Sequence, residues 1–168
     1  LVGAVVADAR EREDAAAVEL TVDDEGGAAA DGGREADWTT HVRPDALEAV
    51  VENTVENAID HHDGEGTERD DGGAWVRASL RREGGAEAES GDDDARFVLT
   101  VEDDGPGIPD HEVDAVESGR ETALEHGSGL GLWVVAWGAA AVGADVTYED
   151  REPRGTRVTV SVPVVAEK

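Results

Sequence analysis

The sequence predicts an α/β fold, a two-layer α/β sandwich in which helices cover one face of a mixed β-sheet. Segments with helical periodicity alternate with pairs of short strand-like segments, and 168 residues suffice for one domain with a sizeable core. The sequence has no apolar run of the roughly 18 residues that a membrane span needs, and no signal-peptide pattern. We expect residues 1–16 to be the end of a helix and residues 17–168 to be one domain.

The predicted elements follow in a regular order. A helix runs to about Asp14, a second begins at Pro44 and Asp45, residues that suit a first helical turn, and a third runs from Leu130 to Ala141. The predicted strands are residues 18–22, a short segment at 38–42, a pair at 75–82 and 96–102, and a last pair at 146–148 and 156–162.

The second helix carries the first candidate site residues. Its apolar residues recur at three- and four-residue steps between Leu47 and Ile59, which predicts an amphipathic helix facing a core. Asn53 and Asn57 are four residues apart and share one edge of that helix. An amide oxygen is a hard, neutral ligand for a Mg²⁺ ion that nucleotide phosphates also hold, so we predict that Asn57 is a metal ligand.

Two glycine-rich segments complete a candidate nucleotide site. The strand at residues 97–102 leads into Asp103, whose carboxylate can accept from the exocyclic amine of adenine, and the glycines that follow admit a flat base. The second segment opens a helix, where free N–H groups and the helix dipole attract phosphate without a lysine. The predicted contacts are Asp103, Gly105, Gly107 and Ile108 in the first segment and Gly127, Ser128, Gly129, Leu130 and Gly131 in the second.

Two common nucleotide motifs are excluded. A P-loop requires Gly-Lys-Ser/Thr, but the only lysine is Lys168. A dinucleotide-binding motif places its glycines directly after a strand, whereas residues 127–132 follow a polar loop.

Taken in order, these motifs resemble the ATP-binding catalytic domain of histidine kinases. That domain belongs to the Bergerat-type superfamily, which includes type II topoisomerases, a class of heat-shock chaperones and mismatch-repair ATPases. The resemblance covers about residues 36–163 and implies ATP and Mg²⁺ as cofactors, with the nucleotide between the helical layer and a mobile lid. It also implies that residues 1–16 are the end of a preceding dimerisation helix and that residues 17–168 are the ATP-binding catalytic domain. The matching segments are the asparagine box at 52–59, the glycine boxes at 103–108 and 127–131, and a last short motif near the adenine, Gly155-Thr156.

Two positions depart from the family pattern. Asp60 stands where the family often has a Lys or Arg that meets a phosphate, and we expect the next residue, His61, to contribute a donor instead. The lid segment at 109–126 lacks the usual phenylalanine anchor, so Val113 and Val116 are the residues expected to pack there.

A third departure concerns the reaction. Hydrolytic relatives place a Glu four residues before the magnesium Asn, but here Asn53 occupies that position, and an amide cannot accept a proton at neutral pH. Glu52 and Glu56 point away from that edge by one helical step, roughly 100°. We therefore favour phosphoryl transfer to a protein side chain over fast ATP hydrolysis, with Asn53 and Asn57 as the catalytic residues.

The resemblance implies that a histidine accepts the phosphoryl group. None of the five histidines has the setting of a phosphoacceptor, an exposed helical His followed by an acid ahead of a Pro kink. We therefore expect the partners to be a separate or removed histidine-containing dimerisation domain and a response regulator, with homodimers formed through helices absent from this chain. Two alternatives share the site: a serine kinase of the anti-sigma-factor type and a non-catalytic ATP-sensing module.

Composition indicates the setting. The chain has 41 acidic and 14 basic residues and a net charge of −27, so its acidic side chains repel one another. Molar salt screens this repulsion, which makes the surface haloarchaeal-like and the protein halophilic. A surface of this sign excludes nucleic acid as a partner. The absence of cysteine excludes disulfides and thiolate metal sites and agrees with a cytoplasmic location. We expect that a longer parent protein can be anchored in a membrane by segments outside this sequence.

Overall fold

The structure is a computed structural model that describes residues 2–5, 7, 17–24, 42–63, 73–84, 95–119 and 130–164. Residues 2–5 and 7 are helical. The remaining elements, in chain order, are β1 (Ala17–Asp24), α1 (Pro44–Asp60), β2 (Trp75–Glu83), β3 (Arg96–Asp103), α2 (Asp110–Ser118), α3 (Leu130–Val142), β4 (Asp145–Asp150) and β5 (Thr156–Pro163).

Five strands form one sheet in the order β1-β2-β3-β5-β4. β1 pairs with β2 in parallel, and the other three pairings are antiparallel, so the sheet is mixed, as predicted. Both predicted strand pairs are confirmed. The register pairs Val76 with Asp103, which places the end of β3 beside the start of β2.

The core lies between the sheet and the helices α1 and α3. α1 contributes Val50, Val51 and Val55, and the sheet contributes alternating valines and leucines from β3 and β5, because successive strand residues face opposite sides. The two helices approach closely at Gly138 of α3, where an added Cβ would lie 2.6 Å from Cγ2 of Val50. Val5, in the helical residues at the start of the chain, is buried in the same core.

The lid segment differs from its prediction. Residues 110–118 form α2, a helix that the sequence did not predict. Asp110 and Glu112 lie in the first turn, where acidic side chains stabilise a helix, and Gly119 ends it in the left-handed conformation at φ 64°. Ala115 is buried, and Val113 and Val116, the residues expected to pack in this segment, are partly buried. Residues 120–126 lie outside the described ranges.

Two further predictions meet the limits of the described chain. The strand expected at 38–42 falls mostly outside it, and its last residue, Val42, lies in a bend. The helix expected to reach Asp14 is described only at residues 2–5 and 7. Within the described ranges, each helix is too short or too polar to cross a bilayer.

Candidate active site

A cavity of about 390 Å³ opens between α1, α3 and the sheet. Seven residues predicted to bind the nucleotide or its metal line it: Asn57, His61, Asp103, Gly105, Gly107, Ile108 and Thr156. Ala58, Val101, Leu132, Val135 and Val158 give it an apolar lining between α1 and the sheet. Gly127, Ser128 and Gly129, also predicted, lie outside the described residues. The cavity thus joins segments that are separated by up to a hundred positions in sequence.

Asp103 ends β3 with its side chain in the cavity wall and is only 8% exposed. The N–H of Gly105 donates to its Oδ1 at 2.9 Å, and the N–H of Thr156 donates to the same oxygen at 3.1 Å. Burial raises the pKa of Asp103 above its ordinary value, and the two hydrogen bonds oppose that rise. Both bonds go to Oδ1, which leaves Oδ2 as the acceptor for a ligand.

Asp104 is a buried carboxylate that the sequence did not single out. It is 1% exposed, and its Oδ1 accepts the backbone N–H of Trp75 at 3.0 Å. Nε2 of the buried His62 lies 3.3 Å from the same oxygen. Asp104 therefore connects the end of β3 to the start of β2 and to the chain just after α1. No pattern separates it from Asp103 in the sequence, because its role depends on partners that are distant in the chain.

Asn57 faces the first turn of α3. A Cβ built on Gly131 would lie 2.8 Å from the Nδ2 atom of Asn57 and 2.9 Å from its Cγ. Real Cβ atoms do not approach so closely, so the amide of Asn57 occupies the space that a side chain at Gly131 would need. Gly131 thus leaves room for the Asn57 amide beside the helix N-terminus, where free N–H groups favour anions.

Asn53 does not line the cavity with Asn57. Its Nδ2 donates to the carbonyl oxygen of Ala49 at 2.8 Å, one turn back along α1. Leu130 also lies outside the lining, with its side chain 54% exposed, and Leu132 takes its place in the cavity wall. The backbone carbonyl oxygen of His61 lies 3.8 Å from the position of a Cβ on Gly105, and the residue lines the cavity.

Four polar lining residues were not predicted: Thr54, Glu112, Tyr148 and Asp150. Thr54 lies one turn before Asn57, and its hydroxyl donates to the carbonyl oxygen of Val50 at 2.7 Å. Glu112 comes from α2, and Tyr148 and Asp150 come from β4. The alternation of β4 could have indicated Tyr148 as an inward residue, but Glu112 required knowledge that residues 110–118 are helical.

The charges of the lining suit a metal-bound polyphosphate. Among the described lining residues the acids are Asp103, Glu112 and Asp150, and the lining includes neither Arg nor Lys. The described residues contain no group of three or more His, Asp or Glu that could hold a metal by themselves. A single amide oxygen from Asn57 therefore fits Mg²⁺ only if the nucleotide supplies most of the remaining ligands, which is the usual arrangement for this ion.

Comparison with known proteins gives a consistent family. Residues 42–166 match the family model described as histidine kinase-, DNA gyrase B-, and HSP90-like ATPase. The sensor histidine kinase GtrS of Pseudomonas aeruginosa is 31% identical over 123 residues, 72% of this chain. The signal transduction histidine-protein kinase AfsQ2 of Streptomyces coelicolor is 28% identical over 136 residues, 77% of this chain. The chain spans 22% of the length of each of these relatives.

Solved structures show the same fold. The mycobacterial sensor histidine kinase MprB aligns with a TM-score of 0.61 at 22% identity, over 99% of this chain and 93% of that one. The catalytic domain of the histidine kinase ThkA aligns with a TM-score of 0.63 at 14% identity, over 98% of this chain and 92% of that one.

Proposed function

Because the chain belongs to the histidine kinase-, DNA gyrase B-, and HSP90-like ATPase family, we propose that it is the ATP-binding catalytic domain of a two-component sensor histidine kinase. It binds ATP and donates the γ-phosphoryl group to a histidine on a separate dimerisation domain. A response regulator then receives the group. The two curated relatives are histidine kinases matched over about three quarters of this chain, which supports this assignment.

The observation that carries the proposal is the convergence of Asn57 and Asp103 on one cavity. In this proposal, Oδ2 of Asp103 accepts from the exocyclic amine of adenine, while Oδ1 stays bonded to Gly105 and Thr156. Ile108, Val101 and other apolar lining residues contact the faces of the base. His61 lines the same cavity, and in this proposal it donates to a phosphate, as expected from the sequence.

At the other end of the cavity, Asn57 would hold Mg²⁺, which neutralises charge on the phosphates when it is bound. The first turn of α3 supplies backbone N–H groups beside it, and Gly131 keeps the amide of Asn57 in place. We propose that Gly127, Ser128 and Gly129 extend this phosphate-binding end. The chain's contribution to transfer is then positioning and charge stabilisation, since the nucleophile comes from another domain.

The structure around Asn53 supports transfer over hydrolysis. Its amide is engaged with Ala49 and does not line the cavity, so no proton acceptor stands one turn before Asn57. A catalytic contribution from Asn53 is accordingly limited to supporting α1. The side chain at position 53 therefore cannot accept a proton from a water molecule that attacks the γ-phosphate.

The first test is calorimetric titration with ATP in high KCl, with and without Mg²⁺, on the wild type, Asn57→Ala and Asp103→Asn. We expect Mg-dependent binding that Asn57→Ala weakens and that Asp103→Asn weakens with or without the metal. High KCl is used because a net charge of −27 favours a halophilic protein that needs screening. Wild-type protein that binds no ATP at any salt concentration would contradict the proposal.

The second test supplies a phosphoacceptor. The chain is mixed with a dimerisation domain of a histidine kinase and with ATP labelled at the γ-phosphate. Label that is lost in acid and kept in alkali identifies phosphohistidine. Acid-stable label on a serine would identify a serine kinase instead, and binding without transfer to any acceptor would identify an ATP-sensing module.

A further inference from the structure

The turn between β4 and β5 lies against the base end of the cavity. The backbone N–H of Arg151 donates to the carbonyl oxygen of Gly155 at 2.9 Å, and its Nη1 donates to that of Arg154 at 3.3 Å. Arg154 forms an ion pair with Asp63, just after α1. The turn is therefore closed on itself and attached to the end of the helix that carries Asn57.

Trp75, the first residue of β2, attaches the turn to the sheet. The guanidinium carbon of Arg151 lies 4.5 Å from the centroid of the Trp75 ring, and that of Arg77 lies 4.9 Å from the same ring. Such contacts are attractive because the aromatic face is electron-rich. Trp75 is 8% exposed, and its backbone N–H donates to Asp104. Two arginines thus contact one ring, and the backbone N–H of the same tryptophan donates to the residue after Asp103.

The turn also sets the surroundings of Asp103 directly. Gly155, at φ +110°, lies so close that a Cβ there would be 2.7 Å from the carbonyl carbon of Asp103. This contact brings the next N–H, that of Thr156, onto the carboxylate. Arg151 is the cation whose charge opposes the rise in the pKa of Asp103, which burial and Asp104 cause.

Other charged or titratable groups also surround Asp103. Asp104 follows it on β3, His61 and His62 come from the end of α1, and Asp150 precedes the turn. The nearby acids disfavour a negative charge on Asp103, whereas the N–H groups of Gly105 and Thr156 and, to a smaller extent, the guanidinium charge of Arg151 favour it.

We propose that Arg151 is a positioning residue for the base-binding carboxylate. Stacked on Trp75, it holds residues 151–155 against the end of β3, so that the Thr156 N–H orients Asp103 to accept from the adenine amine. This inference rests on the proposed function, because it assigns Arg151 a part in base recognition.

Arg151→Gln and Arg77→Gln form a matched pair. Both variants remove a guanidinium from the same tryptophan ring, but only Arg151 is a charge partner of Asp103. The carboxyl carbon of Asp103 is followed by NMR as a function of pH in the absence of nucleotide and is assigned by its loss in Asp103→Asn. We expect Arg151→Gln to raise the titration midpoint by about 0.5–1 pH unit and Arg77→Gln to leave it unchanged.

Nucleotide binding gives the second readout. We expect Arg151→Gln to raise the Kd for MgATP about 3- to 30-fold at pH 7 and Arg77→Gln to change it less than about 2-fold. Arg151→Lys keeps the charge but not the planar stacking group, so it should keep the wild-type midpoint and still weaken binding. If Arg151→Gln does not fold, the proposed role of Arg151 is tested with Arg151→Lys and Arg77→Gln alone.

An unchanged midpoint in Arg151→Gln, or an equal rise in Arg77→Gln, would overturn the inference. A midpoint that rises in Arg151→Lys as well would also overturn it, since that variant retains the charge. The midpoint is measured without nucleotide, so a wild-type protein that binds no ATP would reject the proposed function while the titration still tests how Arg151 acts on Asp103.

Discussion

Two glycines of α3, seven residues apart, offer a direct test of how the site is built. Gly131 contacts the Asn57 side chain, and Gly138 contacts Val50 in the core and the carbonyl oxygen of Ala46. Both lie on the face of α3 that meets α1, and both lack the space for a methyl group. Gly131→Ala and Gly138→Ala therefore make the same chemical change at the site and in the core.

The expected effects differ in kind. In Gly131→Ala the obstructing group is the end of an Asn side chain, which can rotate at a cost of about 0.5–1.5 kcal/mol. Alanine gains up to about 1 kcal/mol in helix propensity, so the free energy of unfolding should change by less than about 1 kcal/mol. If Asn57 is the Mg²⁺ ligand, as proposed above, the rotated amide no longer presents its oxygen to the metal. Losing one charge-assisted ligand costs about 1.5–3 kcal/mol, a 10- to 150-fold rise in the Kd for MgATP.

Gly138→Ala should show the opposite pattern. An added Cβ would lie 2.6 Å from Val50 Cγ2 and 3.1 Å from a backbone oxygen that cannot rotate away. Overpacking of this kind costs about 1–3 kcal/mol, which outweighs the gain in helix propensity. The protein should lose stability and, while folded, bind MgATP with the wild-type Kd.

Urea unfolding in high KCl and calorimetric titration with MgATP measure the two quantities on the same samples. Our reasoning is refuted if Gly131→Ala binds MgATP as tightly as the wild type. It is also refuted if folded Gly138→Ala loses as much affinity as Gly131→Ala, since the contact with Asn57 would then not be what matters.

Three further substitutions test the base end and the lid. Burial raises the pKa of Asp103 above 3.8, so its contribution to stability is present in acid and lost as the pH rises through the native pKa. Asp103→Asn should therefore be at least as stable as the wild type at pH 7, while its Kd for ATP rises about 10- to 100-fold. The result would be contradicted if the stability of the variant, measured relative to the wild type, were lower at pH 7 than at pH 4. Burial and the charge of Glu117 raise the pKa of Tyr148 to about 12, so its contribution to stability is complete below pH 10 and is lost as the pH rises through 12. Tyr148→Phe should unfold less steeply with pH above 10, as followed by circular dichroism, and an identical alkaline profile would count against the burial of that hydroxyl. Gly155→Ala should cost about 3 kcal/mol or more in urea unfolding, because it combines φ +110° with a clash against the Asp103 backbone; a loss under about 1 kcal/mol would show that the turn can move aside.

Local sequence patterns were sufficient to predict much of the fold. The alternation in β3 and β5 and the three- and four-residue steps of α1 each reflect a single element facing one core, so they can be read within a short window. α2 was missed because it has few apolar residues among its acids, and only Ala115 is buried. A helix so short takes its stability from packing, which a local pattern does not contain.

The candidate site also contains some residues that local sequence could predict and others that it could not. Asp103 and Asn57 were predicted because their chemistry is visible beside glycines and on a helical edge. Asp104 was not, because its burial depends on Trp75, 29 positions earlier in the chain. The contact between Gly131 and Asn57 likewise requires the packing of α3 on α1.

The carboxylates in the cavity wall have a consequence for how occupancy responds to conditions in the cell. With Asp103, Glu112 and Asp150 in the lining and neither Arg nor Lys among the described lining residues, free ATP carries its full charge into a site of like sign. Two like charges 4 Å apart repel by about 4 kcal/mol near a protein surface. If the bound species is MgATP, as proposed above, occupancy is limited by whichever is scarcer, nucleotide or divalent ion, and a fall in free magnesium would empty the site even when ATP is abundant.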